Sequence, residues 1–110
     1  MDSTKTSDAS AVASGSANQK WSLSASNVRG KLHLQWSHAE PWRPQQGQIR
    51  VYNNNFPGNP TDDTKTWTWD DVQNGDSWDT GVDFGPGWNC AYIGKDYKSQ
   101  YTYIIQIVTS

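Results

Sequence analysis

The sequence predicts an all-β fold, a small antiparallel β-sandwich of six to seven strands. Three observations lead there. Short runs alternate apolar and polar residues with a period of two, as Leu32-His33-Leu34-Gln35-Trp36 does. Clusters of Gly, Pro and Asn separate those runs. No twelve-residue window keeps a helical period without a Gly or Pro interrupting it.

The elements follow in order. Residues 1–20 read as a disordered Ser/Ala/Thr-rich tail. Positions 1–19 hold five Ser, two Thr and four Ala, with no aromatic residue and only Val12 as a branched aliphatic. That is too little apolar surface to offset the entropy of ordering. Residues 21–110 are then a single β-sandwich domain. Trp21-Ser22-Leu23-Ser24-Ala25 and the run ending at Trp36 form a hairpin, with Gly30 able to take positive φ at the turn. Gln48-Ile49-Arg50-Val51-Tyr52 is the next strand, entered from the stiff loop Pro41-Trp42-Arg43-Pro44. A dense group of turn formers, from Asn53 to Pro60, ends it. Lys65-Thr66-Trp67-Thr68-Trp69 is a fourth strand, Ser77-Trp78-Asp79 starts a fifth, and Trp88-Asn89-Cys90-Ala91-Tyr92-Ile93 is a sixth. The run from Tyr101 to Val108 is apolar on both parities, which predicts a central strand covered on both faces. The domain has only three Leu, five Ile and five Val, so several aromatic residues must serve as core.

Composition excludes several function classes. The net charge is −2, and no basic stripe marks a nucleic-acid partner. Mean hydropathy is −0.88 and no apolar run is long enough for a membrane span, so no membrane insertion is expected. One cysteine forms no internal disulfide; with no apolar leader evident, a cytoplasmic location is expected, export by a non-signal route staying open. Cys90 reads as a small buried hydrophobe rather than a reactive thiol. His33 and His38 are five residues apart on a strand, hence on opposite faces, and do not share a metal. No catalytic residue and no cofactor is expected.

The informative stretch runs from Asp62 to Asp83. It carries seven aspartates against Lys65, a formal charge of −6 in a chain whose total is −2. It also carries Trp67, Trp69 and Trp78, with Asn74-Gly75 as a tight-turn signal. Indole rings beside short carboxylates and amides suit a sugar. The ring's C–H face stacks on indole, and its hydroxyls need fixed partners, since each one left dry costs about 1–3 kcal/mol. Trp67 and Trp69 share a strand face about 7 Å apart. Strand tryptophans are more often core, and the other arrangement is a stacking platform. Trp42 and Trp78, set among loop residues, are the tryptophans expected at the surface. Asp70, Asp71, Asn74, Asp76 and Asp79 are hard oxygen ligands, but their spacing departs from the alternating calcium loop, so no metal is assigned. The aspartates read instead as solubilising groups that discourage edge pairing.

Ile49-Arg50-Val51-Tyr52, then Trp67-Thr68-Trp69-Asp70, then Trp78-Asp79-Thr80-Gly81, resemble one repeat of the fucose-binding propeller-type lectins. The resemblance covers about a third of the chain. It implies sugar contacts from Arg50 and from Trp69 or Trp78, while Thr66 stands where that family has an acidic residue. It is a pointer to carbohydrate rather than to a fold, which is expected to be immunoglobulin/fibronectin-like or lectin-like in shape.

Together these readings predict a non-enzymatic carbohydrate-binding protein, a small tryptophan-rich lectin whose partners are glycans or glycoproteins. Its expected site residues are Trp42, Arg50, Trp67, Trp69, Asp70, Asn74, Asp76, Trp78 and Asp79. Several linked copies would raise the avidity of a shallow site, so a homo-oligomer is expected. The alternative is a protein-interaction module with an acidic docking face; a small glycosidase comes behind both, since about ninety residues build a deep cleft with difficulty.

Overall fold

The computed structural model of the chain describes residues 12–71 and 76–110. Eight strands build it: β1 (Val12–Ala17), β2 (Trp21–Val28), β3 (Lys31–His38), β4 (Gln45–Tyr52), β5 (Thr64–Trp69), β6 (Ser77–Asp83), β7 (Asn89–Lys95) and β8 (Tyr101–Val108). They form two four-stranded antiparallel sheets, the first in the order β1-β2-β3-β6 and the second in the order β5-β4-β7-β8. The small all-β sandwich expected from the periodicity is therefore the fold, with one strand more than the alternation announces.

The core lies between the sheets. Leu23, Ala25, Leu32, Leu34 and Trp36 face inward from the first sheet. Ile49, Val51, Cys90, Tyr92, Ile105 and Ile107 face them from the second. Each fully buried aliphatic contributes about 1.5–3 kcal/mol, and Tyr92 and Trp36 fill volume that the scarce aliphatics leave. The β2–β3 hairpin turns at Arg29 and Gly30, both at positive φ (55° and 83°), the geometry in which a two-residue loop matches the twist of its strands.

Two expectations are corrected. The first concerns residues 1–20: Val12–Ala17 is an edge strand pairing with β2 over the register Ser14 to Ala25 through Ala17 to Ser22. Strand pairing draws on backbone groups that every residue carries, so a stretch of Ser, Gly and Ala joins a sheet without apolar side chains. Residues 1–11 lie outside the described residues. The second concerns the C-terminal strand, which is an edge strand and not a central one. A bulge carries side chains of one parity to both faces of the strand. Tyr92 faces Ile105 while Ile93 faces Tyr103, so Ile104 is an extra residue. Tyr101 and Tyr103 therefore point out of the sandwich, and Ile105 and Ile107 point in. The central strands are β4 and β7, the two most completely buried in the chain.

The second sheet also has a covered outer patch. Tyr52, Phe56 and Tyr103 meet edge to face, with ring centroids 5.6 to 6.3 Å apart. The Tyr52 hydroxyl donates to the carbonyl of Pro60 and that of Tyr103 to the carbonyl of Pro57. The turn-rich loop 53–63 thus lies over half of this face and leaves the other half open.

Candidate functional site

The open half of that outer face is where exposed aromatics and fixed polar groups meet. On the edge strand β5, Lys65, Trp67 and Trp69 are exposed while the threonines between them are half-buried. Trp67 is 39 % and Trp69 45 % exposed, so this pair is not core. The interior is already filled by Trp36 and Tyr92, and the inward positions of β5 take threonine. The two indoles stand at 80° with centroids 5.1 Å apart, an edge-to-face pair rather than a flat platform.

Arg50 is the cross-strand partner of Trp67, and its guanidinium lies 4.7 Å from the centre of that indole. Nε donates to Gln48 Oε1 at 2.8 Å, and Nη1 donates to Thr64 Oγ1 at 2.7 Å and to the Thr61 carbonyl at 3.4 Å. Gln48 in turn donates through Nε2 to the Tyr101 hydroxyl at 2.9 Å, which donates to the Gln46 carbonyl at 3.1 Å. Burial pushes the Arg50 pKa below its usual value. This row runs across three strands. It is flanked by a hollow of about 400 Å³ lined by Pro60, Thr61, Gln100 and Tyr101, and by another of about 440 Å³ lined by Arg43, Gln46, Trp69 and Asp70.

Asp70, expected to meet sugar hydroxyls, does something else. It is 5 % exposed, with Oδ1 accepting from Arg43 Nη2 at 3.1 Å and Oδ2 accepting from the Tyr92 hydroxyl at 2.7 Å. Its carbonyl accepts from Trp36 Nε1 at 3.0 Å and its amide donates to the Gly47 carbonyl at 2.9 Å. A Cβ at position 47 would collide with this carboxylate, which is why glycine stands there. The knot ties Arg43, in loop 39–44, to Asp70, just past the end of β5, and both stand where the chain leaves one sheet for the other. Burial first, and Asp70 second, push the Tyr92 phenol well above its usual range.

The remaining expected site residues are dispersed. Trp42 is 46 % exposed at the end of the first sheet, with Lys20 Nζ 3.8 Å from its ring centre and its carbonyl accepting from Trp21 Nε1. Trp78, expected at the surface, is half-buried on β6 and packs against the core. Asp76 and Asp79 are exposed, Asp79 paired in register with His33 on the first sheet. Asn74 and the Asn74-Gly75 turn lie outside the described residues. The acidic stretch is thus divided by the fold. Asp62 and Asp63 sit in the covering loop, Asp70 in the knot, and Asp79 and Asp83 on the first sheet.

His33 and His38 alternate to opposite faces of β3, and His38 lies 3.6 Å from Glu40. Among the described residues no group of three or more His, Cys, Asp or Glu side chains is placed to hold a metal ion. Cys90 is fully buried, and burial pushes its thiol pKa up to about 12, a small apolar filler with no reactive thiolate.

Sequence reasoning names Arg50, Trp67 and Trp69 but misses Gln46, Gln48, Thr61 and Tyr101. Gln48 carries a signal, since it shares the parity of Arg50 two residues away. Tyr101 carries none, because only the pairing of β4 with β7 and of β7 with β8 brings it near. Comparison with protein-family models, curated proteins and solved structures gives no match to this chain.

Proposed function

We propose that this protein is a non-enzymatic carbohydrate-binding protein, a lectin whose site is the open outer face of the second sheet. The observation that carries this reading is the pair Trp67 and Trp69, two exposed indoles on an edge strand, one of them beneath a guanidinium already held by neighbouring hydrogen bonds. An indole held in place offers a large apolar face at little entropic cost, and the fixed row Arg50-Gln48-Tyr101 presents donors and acceptors to hydroxyls. The resemblance of residues 49–52 and 67–70 to the fucose-binding propeller-type lectins gives Arg50 and Trp69 the same roles. Hydrolysis of a glycoside asks for two carboxyl groups facing the bond. The four strands of this sheet contain no Asp or Glu, and Asp70 at its margin has both oxygens engaged.

The test is a glycan array with the labelled full-length protein and with the double variant Trp67→Ala/Trp69→Ala. Binding to one family of glycans, lost in a folded double variant, supports the reading. Silence across the array from a protein with an intact thermal transition overturns it, and leaves the interaction-module alternative as the one to pursue.

A further inference from the structure

The four strands of the second sheet carry Arg50, Lys65 and Lys95 and no acidic residue, in a chain whose net charge is −2. Arg50 lies in the middle of that sheet and is only 7 % exposed. A buried guanidinium ordinarily sits against a carboxylate, because removing the charge from water is costly unless a counter-charge replaces the hydration. Arg50 has no such partner among the described residues. Its hydrogen-bond acceptors are an amide, a hydroxyl and a backbone carbonyl, all neutral, and the ion pairs of the described residues involve Lys31, His38 and Arg43 instead. Asp62 and Asp63, close by in sequence, are exposed and leave it unpaired.

The two terminal nitrogens differ. Nη1 is engaged by Thr64 and Thr61, and Nε by Gln48, so the plane of the fork is set. Nη2 donates to nothing among the described residues, and it is not one of the buried polar atoms left without a partner among them, which are His33 Nδ1 and His38 Nδ1. Among the described residues it is therefore the open end of the fork. A cation with three of its donors tied to neutral groups, one nitrogen open and an indole beneath it is preorganised for an oxyanion arriving from solvent. Thr61 and Tyr101, which belong to the same network, also line the 400 Å³ hollow beside it.

We infer that the saccharide bound on this face is an acidic one, carrying a carboxylate or sulfate group that Arg50 Nη2 receives while a sugar ring packs on Trp67 and Trp69. The inference rests on the carbohydrate reading above and narrows its substrate class. Carboxylated and sulfated sugars share the chemistry of a compact oxyanion with two or more acceptor oxygens, and separate arms of the test distinguish them.

The experiment measures affinities of the full chain by calorimetry for matched oligosaccharides in neutral, uronate and sulfated forms. It compares the native protein with Arg50→Gln, Arg50→Lys and Lys31→Gln. Lys31 pairs with Asp83 on the first sheet, so Lys31→Gln removes one positive charge away from the site. The uronate or the sulfated form should bind more tightly than the neutral one. Arg50→Gln should weaken it about ten- to hundredfold, the loss of one charge-assisted hydrogen bond, and Lys31→Gln should leave it unchanged. Should Arg50→Gln fail to fold, Arg50→Lys keeps the cation but not the fork and gives a smaller loss in the same direction. Binding of neutral sugars with no gain for the acidic forms overturns the inference while the carbohydrate reading stands. Equal losses in the Arg50 and Lys31 variants also overturn it, as unspecific attraction. No binding of any saccharide removes both.

Discussion

The outer faces of the two sheets are built on the same alternation and carry different side chains. On the first sheet the outward positions are mostly polar, serines on β2 and Lys31, His33, Gln35 and Ser37 on β3. Ser22 and Ser37 face each other in register with their hydroxyls 2.5 Å apart, and Ser24 and Gln35 form the next pair. On the second sheet the corresponding face holds Trp67, Trp69, Arg50, Gln48 and Tyr101, linked by stacking and hydrogen bonds. A serine pair satisfies itself and presents little surface to a ligand. A network of aromatic rings and donors ordered before any ligand arrives presents a great deal. The inward faces show no such difference, since both deliver aliphatic and aromatic residues to one core. Periodicity therefore builds both layers, and the identity of the outward residues sets them apart.

The sharpest way to break the comparison is at the knot that joins the layers. Asp70→Ala leaves the Tyr92 hydroxyl without its acceptor and Arg43 without its buried partner. Stability should fall by about 2–3 kcal/mol, read as a lower urea midpoint at neutral pH. Its glycan binding should weaken less than that of the double tryptophan variant. Alkaline pH attacks the same knot. Tyr92 and Tyr52 both have phenols held above the usual tyrosine value of 10.0, chiefly by burial. The folded state then keeps protons that the unfolded chain releases, so stability is intact below about pH 10 and declines as pH rises beyond it. Urea titrations from pH 8 to 11.5 should show that decline, and Tyr92→Phe should make it shallower. The smallest effect should come from the first sheet's face. Ser22→Ala with Ser37→Ala removes one exposed hydrogen bond, should shift stability by no more than about 0.5 kcal/mol, and should leave glycan affinity as it is. An affinity loss there would move the site to the first sheet.

Much of the fold is legible in the sequence because alternation and turn chemistry are local. The β2–β3 hairpin, the strand through Ile49 and Val51, and the turn cluster after Tyr52 all follow from residues close together in the chain. What stays hidden is set by pairing at long range. Val12–Ala17 has no alternation to reveal it, and its pairing with β2 runs through backbone groups that every residue carries. The edge position of β8 depends on its pairing with β7 alone, and the bulge at Ile104 is marked by no composition rule. The site divides the same way. Arg50, Trp67 and Trp69 can be named from strand parity, and Asp70 can be named only as an acid. Its burial depends on Arg43, Gly47 and Tyr92 arriving from two other segments. The density of aspartates between residues 62 and 83 suggests a single acidic surface, and the crossing of the chain between sheets disperses it.

The bulge at Ile104 decides which face each half of the last strand serves. Tyr101 and Tyr103 reach the outer face, and Ile105 and Ile107 the core, because one residue is spare between them. The four share one parity, so pairing the same residues without the bulge would put them on one side of the sheet, sending either the tyrosines inward or the isoleucines into water. That would cost the protein either its interior or the tyrosine that anchors Gln48. Deleting Ile104 would instead leave a regular strand with the same four side chains on the same two faces. Along this strand the slip in pairing is a stricter requirement than the residue that fills it.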